Sequence, residues 1–236
     1  MINYDTQLGL WLYMRPDTRQ SIATRHKELT QSLGQVAAPF GWQGLETPEV
    51  PNRREGSYSA SFVMRYPDRS VRCSGSYMIR DAKHLDDLSS DDDRISIEFD
   101  LASKKYDYRY LLSVHFPDLV AASSAYRAAA YFGLYTVDFD ELHKAELQRL
   151  KAQKSVDVNG RNNIFTLQPA QYWDAELCQR ALGYDRDEVA RRLTGKVPLV
   201  KPLMDGVYVV FNDNPDLTFE EFCAYNDRLK PVLGLQ

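Results

Sequence analysis

The chain has 236 residues, a length that suits one large domain or two small ones. Hydrophobic residues at 44% and charged residues at 26% exclude a mainly disordered chain, and 12 glycines with 11 prolines exclude a collagen-like or low-complexity one. The net charge is −4 and the pI is near 5.6, so there is no global basic field of the kind that holds nucleic acid.

The first apolar run, Leu8 to Met14, is short and no basic stretch precedes it, so no secretory signal is expected. Leu119 to Tyr135 is the longest low-charge stretch. It contains Arg127 and is too short and too polar for a membrane span. Cys73, Cys178 and Cys223 are odd in number and widely spaced, which reads as reduced, buried thiols in a cytoplasmic protein. His26, His84, His115 and His143 never pair at ligand spacing, so neither a metal nor a cofactor is expected.

In chain order, Leu8 to Met14 is of strand length, and Asp17 and Thr18 offer an N-cap for a helix. Ile22, His26, Leu29, Leu33 and Val36 recur at steps of four and three, the signature of one helical face, with His26 read as a satisfied core or boundary residue. Residues 37–56 carry Pro39, Pro48, Pro51 and three glycines and read as a long loop around Trp42. Four strands with period-2 alternation are then expected. Their apolar faces are Tyr58 to Tyr66, Val71 to Ile79, Ile95 to Leu101 and Tyr108 to Phe116, with a turn at Pro67-Asp68-Arg69. One buried and one wet face per strand is the behaviour of an antiparallel sheet.

Residues 118–132 are rich in Ala and Ser, so another backbone can approach closely. Phe139 to Leu150 suggests a helix, Trp173 to Leu182 another ending near Gly183, and Asp185 opens a short one. Val197 to Leu203 and Val207 to Phe211 flank Asp205-Gly206 as a hairpin. Thr218 and Glu221 have capping-box spacing and open a final helix. The expected architecture is a single α+β domain over residues 1–236, with a central antiparallel sheet flanked by helices and a C-terminal hairpin and helix.

None of the motifs GxGxxG, GxxxxGK, HExxH or GxSxG occurs. Pro67-Asp68 followed by Asp81-Ala82-Lys83 imitates the signature of metal-dependent nucleases. A strand between the two acids sets them roughly 30–40 Å apart at its rise per residue, whereas carboxylates sharing a metal lie within about 5 Å, so the match is read as accidental.

The strongest local anomaly is acidic. Asp86, Asp87, Asp91, Asp92 and Asp93 fall within eight residues, and from Asp81 to Asp100 eight acids face only Lys83 and Arg94, a net −6 against −4 for the chain and so +2 elsewhere. Three readings stand for it: a solvated loop between strands, a calcium site, or a docking surface for a basic partner. The calcium reading lacks the spacing that wraps an ion, while complementary charge speeds association with a basic partner. Asp213, Asp216, Glu220 and Glu221 form a second acidic group, read as capping the last helix against its dipole. Lys104 to Tyr110 interleaves basic and aromatic residues, which allows RNA stacking but reads more simply as a half-buried strand.

Two stretches carry a family resemblance. Leu8-Gly9-Leu10-Trp11-Leu12-Tyr13-Met14, a helix, then Phe40-Gly41-Trp42 resembles the start of the immunity protein 52 family. The tail is similar to bacterial toxin-immunity proteins more broadly, through Tyr172 to Gly183, Val207 to Val210, Phe219 to Phe222 and Pro231 to Leu235. The resemblance covers about a third of the chain and rests on hydrophobic spacing with a few Trp and Gly positions. It implies a small α+β cytoplasmic protein without catalytic residues, which neutralises by binding a toxin encoded beside it, often a nuclease delivered by a type VI secretion system.

The expected function is therefore toxin neutralisation, with no enzymatic activity, no direct nucleic-acid or membrane partner, and a monomer or homodimer as the free state. Asp86, Asp87, Asp91, Asp92 and Asp93 are the expected partner-binding residues, occluding the toxin's active cleft. The alternatives are a hydrolase or transferase with dispersed catalytic residues, and a phage or secretion-system assembly component.

Overall fold

Alternation of apolar and polar residues builds most of the framework. In strand β1 (Gln7–Met14), Leu8, Leu10 and Leu12 are fully buried on one face while Trp11 lies half-buried on the other. Strands β2 (Ser59–Met64), β3 (Arg72–Met78) and β4 (Asp93–Asp100) alternate in the same way. A computed structural model describes residues 7–17, 19–53, 55, 57–79, 92–101 and 104–235. In it these strands join β5 (Arg127–Phe132), β6 (Ala170–Trp173), β7 (Leu199–Leu203) and β8 (Gly206–Val210) in one sheet. The order is β2-β3-β4-β1-β5-β6-β8-β7, and every neighbour is antiparallel. The expected α+β architecture, with a C-terminal hairpin and helix, is what the fold has.

The first helix, α1 (Ile22–Leu33), is capped by Ser21, whose side chain accepts from the Thr24 amide. It buries His26, Leu29 and Leu33 against the sheet face that carries Leu10 and Tyr77. His26 is satisfied, with Nδ1 3.0 Å from the Tyr77 hydroxyl and Nε2 donating to the Pro48 carbonyl at 2.8 Å. Phe62 stacks on Tyr77 beside it. Gly75 makes room for that ring, since a Cβ there would lie 2.2 Å from the Phe62 ring tip.

The fourth expected strand is a helix. Helix α2 (residues 108–123) opens with an α turn at Tyr108–Tyr110, passes through a π turn at Leu111–His115 and continues as α from Phe116–Ser123. Tyr108, Leu112 and Phe116 satisfy period 2, but together with Leu111, Leu119 and Val120, all buried, they satisfy the helical period better. Asp107 caps the helix by accepting from the Tyr110 amide. At the π turn the Phe116 amide reaches Leu111 rather than Leu112, and Pro117 has no N–H to give Ser113. The released carbonyls are taken from the sheet: the Tyr208 hydroxyl donates to Leu112 at 2.6 Å and Lys201 Nζ to Ser113 at 3.3 Å.

Beyond α2 the Ala-rich stretch becomes central strand β5, whose small side chains sit between β1 and β6. The expected helix at Phe139 to Leu150 divides into α3 (Tyr135–Leu142) and α4 (Lys144–Lys151). Trp173 ends β6, and helix α5 (residues 175–182) follows with Asp174 as its cap. Helix α6 (Arg186–Leu193) precedes the β7–β8 hairpin, and α7 (Phe219–Leu233) closes the chain with the predicted Thr218–Glu221 capping box.

Helices α1 and α2 cover one sheet face. On the other, α7 packs over the C-terminal strands, with Tyr225 stacked on Phe211 and Phe211 against Trp173. The segment 159–168 lies over β5 and β6, and Asn226 of α7 binds its Leu167 amide. No helix among the described residues is long and apolar enough to cross a membrane.

Candidate functional site

The second sheet face is covered over only part of its width. The register places Val63, Ser74, Ser96, Trp11, Ala129, Gln171, Val209 and Val200 in one row across all eight strands. Val63 is 68% exposed and Ser74 is exposed, while Ala129, Gln171 and Val209 are buried beneath helices and loops. A neighbouring row runs Ser61, Ser76, Arg94, Tyr13, Arg127 and Trp173, again from open to covered. The bare part lies over β2 and β3 and reaches the exposed Arg94 of β4, while Ser96 and Tyr13 beside it are buried; the small Ser61, Ser74 and Ser76 let a partner surface approach the strands closely.

An aromatic and arginine cluster stands at the border of this bare half. The Trp11 ring lies 5.0 Å from Tyr131, and the Arg94 guanidinium sits 4.9 Å from the Trp11 ring. Gly9 makes the arrangement possible, because a Cβ there would lie 2.8 Å from the indole nitrogen. Arg127 lies 3.7 Å over the Tyr13 ring. Trp, Tyr and Arg are the residues over-represented at energetic centres of protein interfaces.

A wall rises beside the cluster. Arg127 donates to the Asn159 carbonyl, and Asn159 Oδ1 accepts from the Phe165 and Thr166 amides at 2.9 and 3.0 Å. Behind the wall the Asp92 carboxylate is enclosed, with Arg161 donating through Nε at 3.1 Å and through Nη2, and the Tyr126 hydroxyl donating to its other oxygen. The side chains of Asp92 and Arg161 are 0% and 4% exposed. Asp93 accepts from Arg25 Nη1 at 2.5 Å and from the Met78 amide at 2.7 Å. Burial holds both carboxyls above the ordinary carboxylate range, against the pull of their arginines.

This arrangement corrects part of the sequence reading. Asp92 and Asp93 were expected on an exposed docking loop, yet both are buried and held by arginines more than sixty residues away. Burying an unpaired charge is prohibitive, so each carboxylate is enclosed with its own cation. Asp86, Asp87 and Asp91 lie outside the described residues, between Ile79, just after β3, and Asp92, just before β4.

The nuclease-like Asp68 is a turn residue. It accepts from Lys105 Nζ at 2.6 Å, from the Tyr106 hydroxyl and from Ser70, and these donors hold its carboxyl well below the usual range. Asp81 lies outside the described residues. The basic and aromatic run 104–110 is not a strand, since it leads into α2. Asp213 pairs with Arg109 at 3.2 Å, and Glu221 serves the capping box.

A cleft of about 420 Å³ opens at the foot of the wall, where Tyr13, Ser61, Ser76, Arg94, Arg127 and Asp157 meet. Among the described residues neither a histidine nor a cysteine lines it. Burial pushes the Cys73 and Cys178 thiols up to about 12, far from a reactive thiolate. Among the described residues no group of three or more His, Cys, Asp or Glu side chains converges as a metal site would.

Sequence reasoning placed Trp11 on β1 but did not bring it together with Arg94 and Tyr131. The available signal was the alternation Arg72-Ser74-Ser76 and Arg94-Ser96-Glu98, a polar face opposite the apolar one.

No protein-family model matches the chain, and no curated protein does. Among solved structures, the chain is similar to the Pseudomonas aeruginosa T6SS protein PA0821, with a TM-score of 0.53 and 11% identity over 96% of this chain and 75% of that one. At that identity the likeness is one of fold.

Proposed function

We propose that this chain is an immunity protein that neutralises a bacterial toxin by binding it, without a catalytic step of its own. The observation that carries the reading is the bare half of the sheet. The fold covers both faces of β6 and β8 but leaves one face of β2 and β3 and Arg94 of β4 open, bordered by Trp11 and Tyr131. An open face centred on Trp, Tyr and Arg suits a protein partner. The fold likeness to a protein named for the type VI secretion system supports a secretion-related setting, and the resemblance of Leu8 to Trp42 and of the tail to immunity proteins supports the inhibitory role.

In this reading the toxin seats on the open sheet face and its active cleft is blocked sterically. The acids of the 80–91 segment, Asp86, Asp87 and Asp91, steer a basic toxin toward that face. Asp92 and Asp93, buried with Arg161 and Arg25, make no direct contact with the toxin.

The test is co-expression with the protein encoded by the adjacent reading frame. Growth rescue together with a stable complex in gel filtration is the expected result. Continued toxicity with both proteins produced, or the absence of any complex, removes the immunity reading.

A further inference from the structure

The two edges of the sheet are built differently. Edge strand β7 reads Leu-Val-Lys-Pro-Leu, with Lys201 and Pro202 at its centre. Both are the usual means of stopping an edge from pairing with another chain. Edge strand β2 reads Ser-Ala-Ser-Phe-Val-Met and has no charge, no proline and no bulge.

The hydrogen-bond pattern shows which groups β2 presents. The Ile79 amide donates to the Tyr58 carbonyl at 2.8 Å, and the register Ser59–Met78 makes these two residues a facing, bonded pair. Bonded pairs alternate along an antiparallel ladder. Residues 58, 60, 62 and 64 therefore bond to β3, while Ser59, Ser61 and Val63 turn their N–H and C=O groups to the free edge. Ser59 is already satisfied, since the Ser57 hydroxyl donates to its carbonyl at 2.7 Å and accepts from its amide at 3.2 Å. Among the described residues nothing bonds the outward groups of Ser61 and Val63.

A groove runs along this edge. Consecutive residues Ser61, Phe62, Val63, Met64 and Arg65 line one side, which only an edge allows, because successive side chains point to opposite faces. The opposite wall is the extended stretch 46–52, held to α1 through the Pro48 carbonyl. The groove measures about 540 Å³. At about 3.4 Å per strand residue, the five positions Ser61 to Arg65 line roughly 14 Å of edge, room for a short added strand.

We propose that the free edge of β2 receives an extended segment of the protein partner, which adds a strand beside Ser61 and Val63 and places a basic side chain against Glu46 and Glu49. This rests on the partner-binding reading and names how the partner is held. Glu46 and Glu49 on the wall outnumber Arg65, the groove's one lining cation among the described residues, so the charge balance favours a basic segment. Main-chain bonds supply the affinity and the wall supplies the preference.

The experiment is titration calorimetry of the adjacent reading frame's product, in inactive form, with the wild type, Val63→Pro and Ser61→Pro. Each proline removes one outward N–H and leaves the β3 ladder intact. Binding at least tenfold weaker in both variants, with melting temperatures within a few degrees of wild type, is expected. Amide exchange on the wild-type complex adds a reading that needs no variant: Ser61 and Val63 should be protected only when the partner is present. Undiminished binding by both folded variants, with those amides unprotected, overturns the edge proposal and leaves the immunity reading standing. A wild type that binds nothing overturns both. Concentration-dependent self-association lost in Val63→Pro assigns the groove to a second copy and overturns the partner strand.

Discussion

The N-terminal half of the sheet and the C-terminal half solve the same packing problem in opposite ways. Strands β6 and β8 are buried on both faces, with Ala170–Trp173 and Gly206–Val210 buried at every position. Their edge, β7, is blunted by Lys201 and Pro202 and tied to α2 through the Lys201–Ser113 bond. Strands β2 and β3 bury only one face, β4 leaves Arg94 exposed on the other, and among the described residues the β2 edge carries two unengaged main-chain positions. A chain able to guard one edge and cover one half had the means to do so at the other. In the function proposed above the open half is the binding surface, and the closed half is the support that fixes its geometry.

The largest effect expected from breaking this division lies at the seam. Arg161→Met leaves the Asp92 carboxylate buried without its cation, and loss of one partner of a buried pair costs about 3–5 kcal/mol. Burial already raises the Asp92 carboxyl and Arg161 lowers it, so the variant's carboxyl rises further. Its folded state then holds a proton that the unfolded chain releases above about pH 4. Stability of the variant falls as pH rises through that window, so its deficit against wild type is greatest at neutral pH and shrinks on acidification. Urea midpoints at pH 7.5 and pH 5 check this. A deficit independent of pH would mean that Arg161 acts through packing alone.

The next effect belongs to the open half. Trp11→Ala removes the ring that stands between Tyr131 and Arg94, and an interface anchor of this kind contributes about 2 kcal/mol or more to binding. Affinity for the adjacent reading frame's product should fall about thirtyfold. The melting temperature should change little, because the indole packs on the surface of the sheet and Leu10 and Leu12 hold the other side. Gly9→Val should weaken binding in the same direction by displacing the indole. Wild-type affinity in Trp11→Ala would move the interface off this face.

How far the sequence revealed these halves follows from their burial. The first three strands of the open half were legible because one wet face preserves period 2: Ser61 and Val63 alternate with Ala60, Phe62 and Met64. In the closed half burial on both faces erases alternation, so Trp173 read as the start of a helix and Ala128-Ala129-Ala130 gave no strand signal. Helix α2 reads as a strand in the sequence because Tyr108, Leu112 and Phe116 fit both periods, and of the residues that decide between them only Leu111 precedes Pro117. The acidic cluster was visible as charge, but its division was not. Arg25 and Arg161, which enclose Asp93 and Asp92, are 68 and 69 residues away, and no local pattern links them.

The guarded edge offers the converse experiment. Lys201→Val with Pro202→Val gives β7 the character of β2. Losing the Lys201 bond to the Ser113 carbonyl costs about 1 kcal/mol. The larger consequence is a second pairing-competent edge, seen as concentration-dependent association by sedimentation. A variant that stays monomeric at high concentration would show that the edge sequence alone does not guard β7, and would weaken the contrast drawn with β2.

The smallest effect separates the five acids that composition treats alike. Asp86→Asn, Asp87→Asn and Asp91→Asn together remove three charges from the segment joining β3 to β4 and leave the buried pairs intact. If this segment steers a basic partner, association slows severalfold at low salt and its dependence on ionic strength flattens, with little change in dissociation. Asp92→Asn and Asp93→Asn should behave differently, since their carboxylates are already satisfied inside the fold by Arg161 and Arg25. These two should lower stability with little influence on the association rate. Stopped-flow association at two salt concentrations, set beside thermal melts of the same proteins, distinguishes the groups. If all five substitutions slow association equally, the buried pairs open when the partner arrives, and the closed support is itself part of the binding surface.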